Sequence, residues 1–279
     1  MSWITKNNII IFDPEFNEEL DIELISGYNI LIFSDYELND ELFENYFNGN
    51  VDELEYEVGN FNQDVSNLPH GITHLIFGNH FNQDVSVLPQ SLTNLVFGNH
   101  FNRDISSLPP SITHLTFGFY FNQDVSVLPH NLTHLTLGFE FNQDISVLPR
   151  TLTHLTLGSK FNKKCNNLPN IKYLGIDCNN LYIINSLPNS VTELELDCSF
   201  DLEINNLPTS IKILRIDKYS YYNADLNCLP DFIEELHLNL HYKKRILHIP
   251  PNLKKIICHK DYPYIDDFLM CSVETFYFA

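Results

Sequence analysis

The chain has 279 residues, 44% of them hydrophobic, with 36 acidic and 16 basic side chains and a formal net charge of −20. That size suits one large domain or two small ones. The shortage of lysine and arginine argues against a general binder of nucleic acid or anionic membrane, because such proteins neutralise phosphates with basic side chains.

The acidity is concentrated at the start: residues 1–60 carry fifteen acidic side chains and one basic one, Lys6. The opening MSWITKNNIIIF lacks the basic region and long apolar core of a secretory signal. Within the first fifty residues, Asn39 can cap a short helix. Its apolar residues Leu42, Phe43, Tyr46 and Phe47 share a face, and Gly49 ends it. A charged, atypical end piece is what a repeat stack needs to cover its first core layer, so residues 1–50 are expected to be an N-terminal cap; a separate adaptor domain is the alternative. Tyr28-Leu31-Phe33 and Val51-Leu54-Tyr56 resemble two early copies of the pattern that follows.

From Phe61 to Lys160 the chain is five copies of a 20-residue block, such as FNQDVSVLPQSLTNLVFGNH and FNQDVSVLPHNLTHLTLGFE. Each holds Leu-Pro and then LxxLxL, as in Leu132, Leu135 and Leu137. Around Leu135-Thr136-Leu137 apolar and polar residues alternate, which predicts a short strand with one buried face. One coil hides too few apolar side chains to offset the entropy of ordering twenty residues. Only a stack sharing core between neighbours can fold, with strands about 4.8 Å apart in a parallel sheet. Phe81, Val85, Leu88, Leu92, Leu95 and Phe97 are expected inside. The column Phe61 to Phe161 should form an aromatic spine, and the column Asn62 to Asn162 an amide ladder for loop backbone groups. Proline at 69, 89, 109, 129 and 149 excludes a helix interior there, so the side opposite the sheet should be extended or 3₁₀.

The pattern degenerates but persists from 161 to 279, through Ile171-Leu174-Ile176, Val191-Leu194-Leu196, Ile211-Leu214-Ile216, Ile233-Leu236-Leu238, Leu253-Ile256-Cys258 and Val273-Phe276-Phe278. The predicted fold is therefore an α/β solenoid of leucine-rich-repeat type, mostly β with little helix, over residues 51–279. No run approaches the roughly 18 consecutive apolar residues of a membrane span. Cysteines at 165, 178, 198, 228, 258 and 271 form no CxxC pair and fit free thiols in a reducing compartment. With no signal peptide, a cytoplasmic location is expected. The sequon Asn131-Leu132-Thr133 matters only on secretion.

The residues Phe81-Asn82, Leu88-Pro89, Ser91-Leu92-Thr93 and Leu95, with their counterparts in neighbouring blocks, resemble the FNIP repeat family, a branch of the leucine-rich repeats. The resemblance is specific over 61–160 and recognisable to about 260. The block here is shorter than the usual FNIP repeat of about 22 residues, and Asp84 and its copies stand where the family often has proline. FNQDIS also occurs in a bacterial surface repeat, where a tryptophan-rich stretch follows; this chain has only Trp3. The resemblance implies intracellular proteins of amoebae and of the large DNA viruses that infect them. It also implies, in some members, an N-terminal F-box that recruits a ubiquitin ligase. Residues 1–50 show one helix-like stretch where an F-box needs several.

Outward strand positions form the candidate site, since the concave sheet is where solenoids usually bind. One column contains His74, Asn94, His114, His134, His154, Tyr173 and Glu193; the next contains Thr116, Thr136, Thr156, Glu195 and Arg215. A protein partner on this face is the expected function, with ubiquitin-ligase components docking on residues 1–50 as the alternative. Stacked imidazoles could share zinc, but no cysteine or carboxylate stands at ligand spacing; resistance to charging together is the expected property. Asp64, Asp84, Asp104, Asp124 and Asp144 could bind calcium or cap turns, and the glycine-rich calcium nonapeptide is missing. Cys178 and Cys198 hold equivalent positions, compatible with a disulfide by spacing. The basic cluster Lys243, Lys244, Arg245, Lys254, Lys255 and Lys260 is either a solvated end face or a contact for an acidic partner. GxSxG, P-loop, HExxH and GxGxxG patterns do not occur, so a non-enzymatic chain without cofactor or metal is expected.

Overall fold

A computed structural model of the chain describes residues 3–33, 59–165 and 167–278. Contacts divide the chain into two compact units, 1–154 and 155–279.

The first unit contains β1 (Trp3–Lys6), β2 (Ile9–Phe12), α1 (Ile22–Ile25), β3 (Ile30–Phe33), β4 (His74–Phe77), β5 (Asn94–Val96), β6 (His114–Thr116) and β7 (His134–Leu137). β1 runs antiparallel to β2, with Trp3 opposite Phe12. From β2 to β7 every pairing is parallel and follows chain order. Leu31, Leu75, Leu95, Leu115 and Leu135 stand in register and are all buried. Alternation sends their neighbours to the other face, as the LxxLxL pattern requires. The strand β8 (His154–Leu157) contains the point of division between the units.

The second unit contains β9 (Tyr173–Ile176), α2 (Leu181–Ile184), β10 (Glu193–Leu196), β11 (Ile213–Ile216), β12 (Glu235–His237), β13 (Lys255–His259), α3 (Ile265–Met270) and β14 (Glu274–Phe278). Its strands also pair parallel and in chain order from β9 to β14. Both units are thus solenoids of leucine-rich-repeat type, one strand to a coil. Among the described residues helix is confined to segments of four to six residues, such as α1, which Asp21 caps by accepting from the Glu23 and Leu24 amides.

The expected inward set is buried: Phe81, Val85, Leu88, Leu92, Leu95 and Phe97 are each 4% exposed or less. The aromatic spine exists, with Phe61, Phe81, Phe101 and Phe121 stacked 6.2 Å apart. A second column, Phe77, Phe97 and Phe117, interleaves with it at 3.6–3.7 Å. Parallel rings at such offsets add stabilisation beyond the area they bury.

The amide ladder also exists. The backbone amides of Asn82, Asn102, Asn122 and Asn142 each donate to the side-chain oxygen of the asparagine one coil earlier, at 2.9–3.0 Å. Asn17 starts the series by accepting from the Asn62 amide. Gln83 adds a bond to the Asn62 carbonyl, and Arg103 takes the same role toward Asn82. Between coils these bonds satisfy backbone that no sheet pairs.

Val51-Leu54-Tyr56 is expected to supply a coil between Tyr28–Phe33 and the first regular block. That segment, like the expected helix at 39–49, lies outside the described residues. β3 pairs directly with β4, Leu31 beside Leu75. At the other end, Ile256 stands beside Thr275 and Ile257 beside Phe276, one residue off the expected match of Ile256 with Phe276. The connection through α3 shortens the spacing, and a slip of one reverses the faces. Phe276 is 47% exposed instead of buried.

Candidate functional site

The outward residues of the first unit all begin or end a strand step. His74, Asn94, His114 and His134 occupy one register line, and Thr116 and Thr136 stand together two residues further on. These side chains, with His154, are half-buried. Before this stretch the outward positions are covered: Ile11, Ile32, Ile76 and Val96 are at most 7% exposed. In that adjacent line the accessible part in this unit therefore runs from Thr116 onward.

Its imidazoles stack. His114 and His134 lie 4.1 Å apart and His134 and His154 3.9 Å apart, with ring planes within 15°. Each ring is tied to the threonine that precedes it. Nδ1 of His74, His114, His134 and His154 lies 2.8–2.9 Å from the hydroxyl of Thr73, Thr113, Thr133 and Thr153. That hydroxyl also reaches a backbone carbonyl of the coil before, 3.0 Å away for Thr133 and 3.3 Å for Thr113. Burial, reinforced by the neighbouring rings, pulls His134 down to about 3 and His74 to about 4. It lowers His114 and His154 in the same direction. At neutral pH this is an uncharged face.

The second unit treats the same positions differently. Thr156, Tyr173, Glu193, Glu195 and Arg215 are again outward and half-buried, but the last four engage in pairs. Arg215 pairs with Glu193, and the Tyr173 hydroxyl donates to Glu195 at 3.0 Å. Further along, Glu235 meets both His237 (2.5 Å) and Lys255 (3.1 Å). Lys254 and Lys212 both pair with Glu234, and Arg245 makes a two-pronged contact with Asp267. Much of the basic cluster is thereby neutralised within the unit.

The aspartate series caps turns. In Asp64, Asp84, Asp104, Asp124 and Asp144 one carboxylate oxygen accepts from the backbone amide of the serine two residues on. The other accepts from that serine's hydroxyl. Serine bonds hold the Asp64, Asp84 and Asp104 carboxyls below the usual range. With both oxygens engaged locally, the arrangement is that of an Asx turn.

Among the described residues one group, Asp197, Cys198 and Asp217, brings three potential donor atoms within 4.8 Å of one another. The Cys198 thiol donates to Asp217 at 2.9 Å, and burial together with that bond pushes the thiol upward. Cys178 and Cys198 are not joined: the first is buried and the second exposed.

Sequence reasoning had no reading for the glycine column. A side chain on Gly98 would come within 2.2 Å of the Gly78 carbonyl oxygen, and Gly78, Gly118 and Gly138 are as tightly placed against their neighbours. The recurrence of glycine at the end of LxFG in successive blocks was the available signal.

The profile of the FNIP repeat matches residues 61–100, 84–120, 101–140, 121–160 and 178–219, together just over half of the chain. No curated sequence matches. Among solved structures, the circular leucine-rich-repeat protein CroV588 is similar, at 26% identity and a TM-score of 0.59 over 92% of this chain. The chain spans about half the length of that protein, 48%. The internalin InlF of Listeria monocytogenes is similar in fold, at 17% identity and a TM-score of 0.51, over 98% of this chain and 87% of its own. No helix among the described residues is long and apolar enough to cross a membrane. With its repeated Phe-Asn and Leu-Pro positions now placed on successive coils of a leucine-rich-repeat solenoid, the chain belongs to the FNIP repeat family.

Proposed function

We propose that the chain is a non-enzymatic scaffold that docks a protein partner on the outward sheet face of its first unit. The observation that carries this reading is the contrast between the faces. The second unit closes its outward charges into ion pairs, whereas His114, His134, Thr116 and Thr136 form a half-buried, uncharged, regularly spaced polar strip on a hydrogen-bonded sheet. Solenoids use such faces for binding because the repeat holds each side chain at a fixed spacing, which lowers the entropy lost on association. The residues Thr156, Tyr173, Glu193, Glu195 and Arg215 belong to the same proposal as a secondary, charged contact. Residues 1–50 act in it as the N-terminal cap, a role supported by the antiparallel β1–β2 pair at the start of the parallel series.

The test is affinity purification of the full chain from cells in which it is expressed, against His114→Glu/His134→Glu/Thr136→Glu. Circular dichroism would confirm that the variant keeps its sheet. Loss of specific partners is expected; retention of all of them refutes the docking face.

A further inference from the structure

We infer that the chain pairs with a second copy of itself, the basic turn around Lys243 and Lys244 of one copy seating at an acidic cleft beside α1 of the other. The contact is separate from the outward sheet face and from the partner that docks there.

The cleft lies between α1, the residues just before it and the turn that opens the first regular block. Its volume is about 200 Å³, and Glu19, Leu20, Ile22, Asp64 and Asn67 are among the residues that line it. Sites for small organic ligands run to about 300–1,000 Å³, so this space suits a protruding side chain. Glu19 and Asp64 are exposed, and Ile22 is 39% exposed. Both Asp64 oxygens accept from Ser66, yet each keeps a further lone pair for a second donor. Among the described residues neither carboxylate has a basic partner. The surrounding sequence supplies none, because Lys6 is the only lysine or arginine before Arg103.

The complementary piece is on the same chain. Residues 241–260 hold six basic side chains and no acidic one. Arg245, Lys254 and Lys255 meet Asp267, Glu234 and Glu235. Lys243 and Lys244 are exposed and meet no carboxylate among the described residues. Beside them Leu247 is 74% exposed. The turn that carries them is held at three points: Ile246 is buried, the Lys244 carbonyl accepts from the Tyr262 hydroxyl at 2.9 Å, and the Leu247 amide donates to Asn227 at 2.5 Å. A turn fixed in this way loses little entropy on docking.

Two lysines with a leucine beside them thus match two carboxylates with Leu20 and Ile22 beside them, in charge and in polarity. The net charge of −20 opposes self-association only at range. At about 0.15 M salt the screening length is about 8 Å, so the charges in contact dominate. Each copy has one cleft and one turn, which makes the contact heterologous.

Complementation between variants of the full chain tests this. Wild type should self-associate in sedimentation velocity at about 0.15 M salt. Glu19→Lys/Asn67→Lys gives the cleft the charge of the turn, and Lys243→Glu/Lys244→Glu reverses the turn. Each variant alone should be monomeric, with its sheet signal in circular dichroism unchanged. Mixed in equal amounts, the two retain one intact turn and one intact cleft between them. The mixture should therefore form a one-to-one dimer and nothing larger. Should either variant unfold, Glu19→Gln or Lys243→Gln/Lys244→Gln takes its place, with self-association weakened by about tenfold or more. A wild type that stays monomeric at every concentration overturns the inference. So does association that survives in either charge-reversed variant, or a mixture that stays monomeric.

Discussion

Replacing Gly98 with alanine tests the most demanding feature of the stack. A methyl group there would meet the Gly78 carbonyl oxygen at 2.2 Å, the Gly78 carbonyl carbon at 2.5 Å and the Asn79 amide at 2.7 Å. All three are backbone atoms, which cannot rotate aside. Reaching ordinary contact requires the two coils to part by about 1 Å, against inter-coil bonds such as His100 N–H to the Asn79 carbonyl at 2.9 Å. Overpacking of a well-filled interior costs about 1–3 kcal/mol, and each inter-coil hydrogen bond lost or stretched adds about 1 kcal/mol. Gly98→Ala should therefore destabilise by about 3–4 kcal/mol, read by urea unfolding followed by far-ultraviolet circular dichroism. Gly27→Ala is the control: no atom lies within 4 Å of the added carbon, so the change should be neutral or stabilising by about 0.4–1 kcal/mol through the unfolded chain. If Gly98→Ala falls within about 0.5 kcal/mol of wild type, the close approach of coils does not govern stability and the reasoning fails.

Two further outcomes concern charge. The Asp197 carboxyl is pushed up to about 6, by burial first and by Asp177 among its neighbours, against the opposing Cys198 amide bond. A raised carboxyl contributes stability that is full below the unfolded value of 3.8 and is lost as pH rises through about 6. Asp197→Asn should thus stabilise the chain at pH 7.5 by on the order of 1–3 kcal/mol and leave it unchanged near pH 4; destabilisation at pH 7.5 would contradict the assignment. The histidine column runs the other way. The rings are held neutral, at about 3 for His134 and about 4 for His74, by burial and by one another. Stability is therefore full above the unfolded value of 6.5 and is lost as pH falls from there toward the folded values. Urea midpoints at pH 7.5 and 5.0 should differ less in His114→Asn/His134→Asn than in wild type, and an identical difference would refute the coupling.

Much of this was legible in the chain itself. A 20-residue recurrence with alternating apolar positions dictates strand, face and stacking, because no coil can hide its apolar side alone. The same recurrence placed the phenylalanine spine and the asparagine ladder, since residues one period apart become neighbours in a parallel stack. Tertiary structure decided what a period cannot encode. Whether an outward charge is open or already paired depends on the coil beside it, as Arg215 with Glu193 and the uncharged His114–His134 pair show. The one-residue slip at β14 depends on where the connection through α3 lets the next strand land. Local pattern specifies which side of a strand is apolar; only the assembled stack specifies what each polar atom finds beside it.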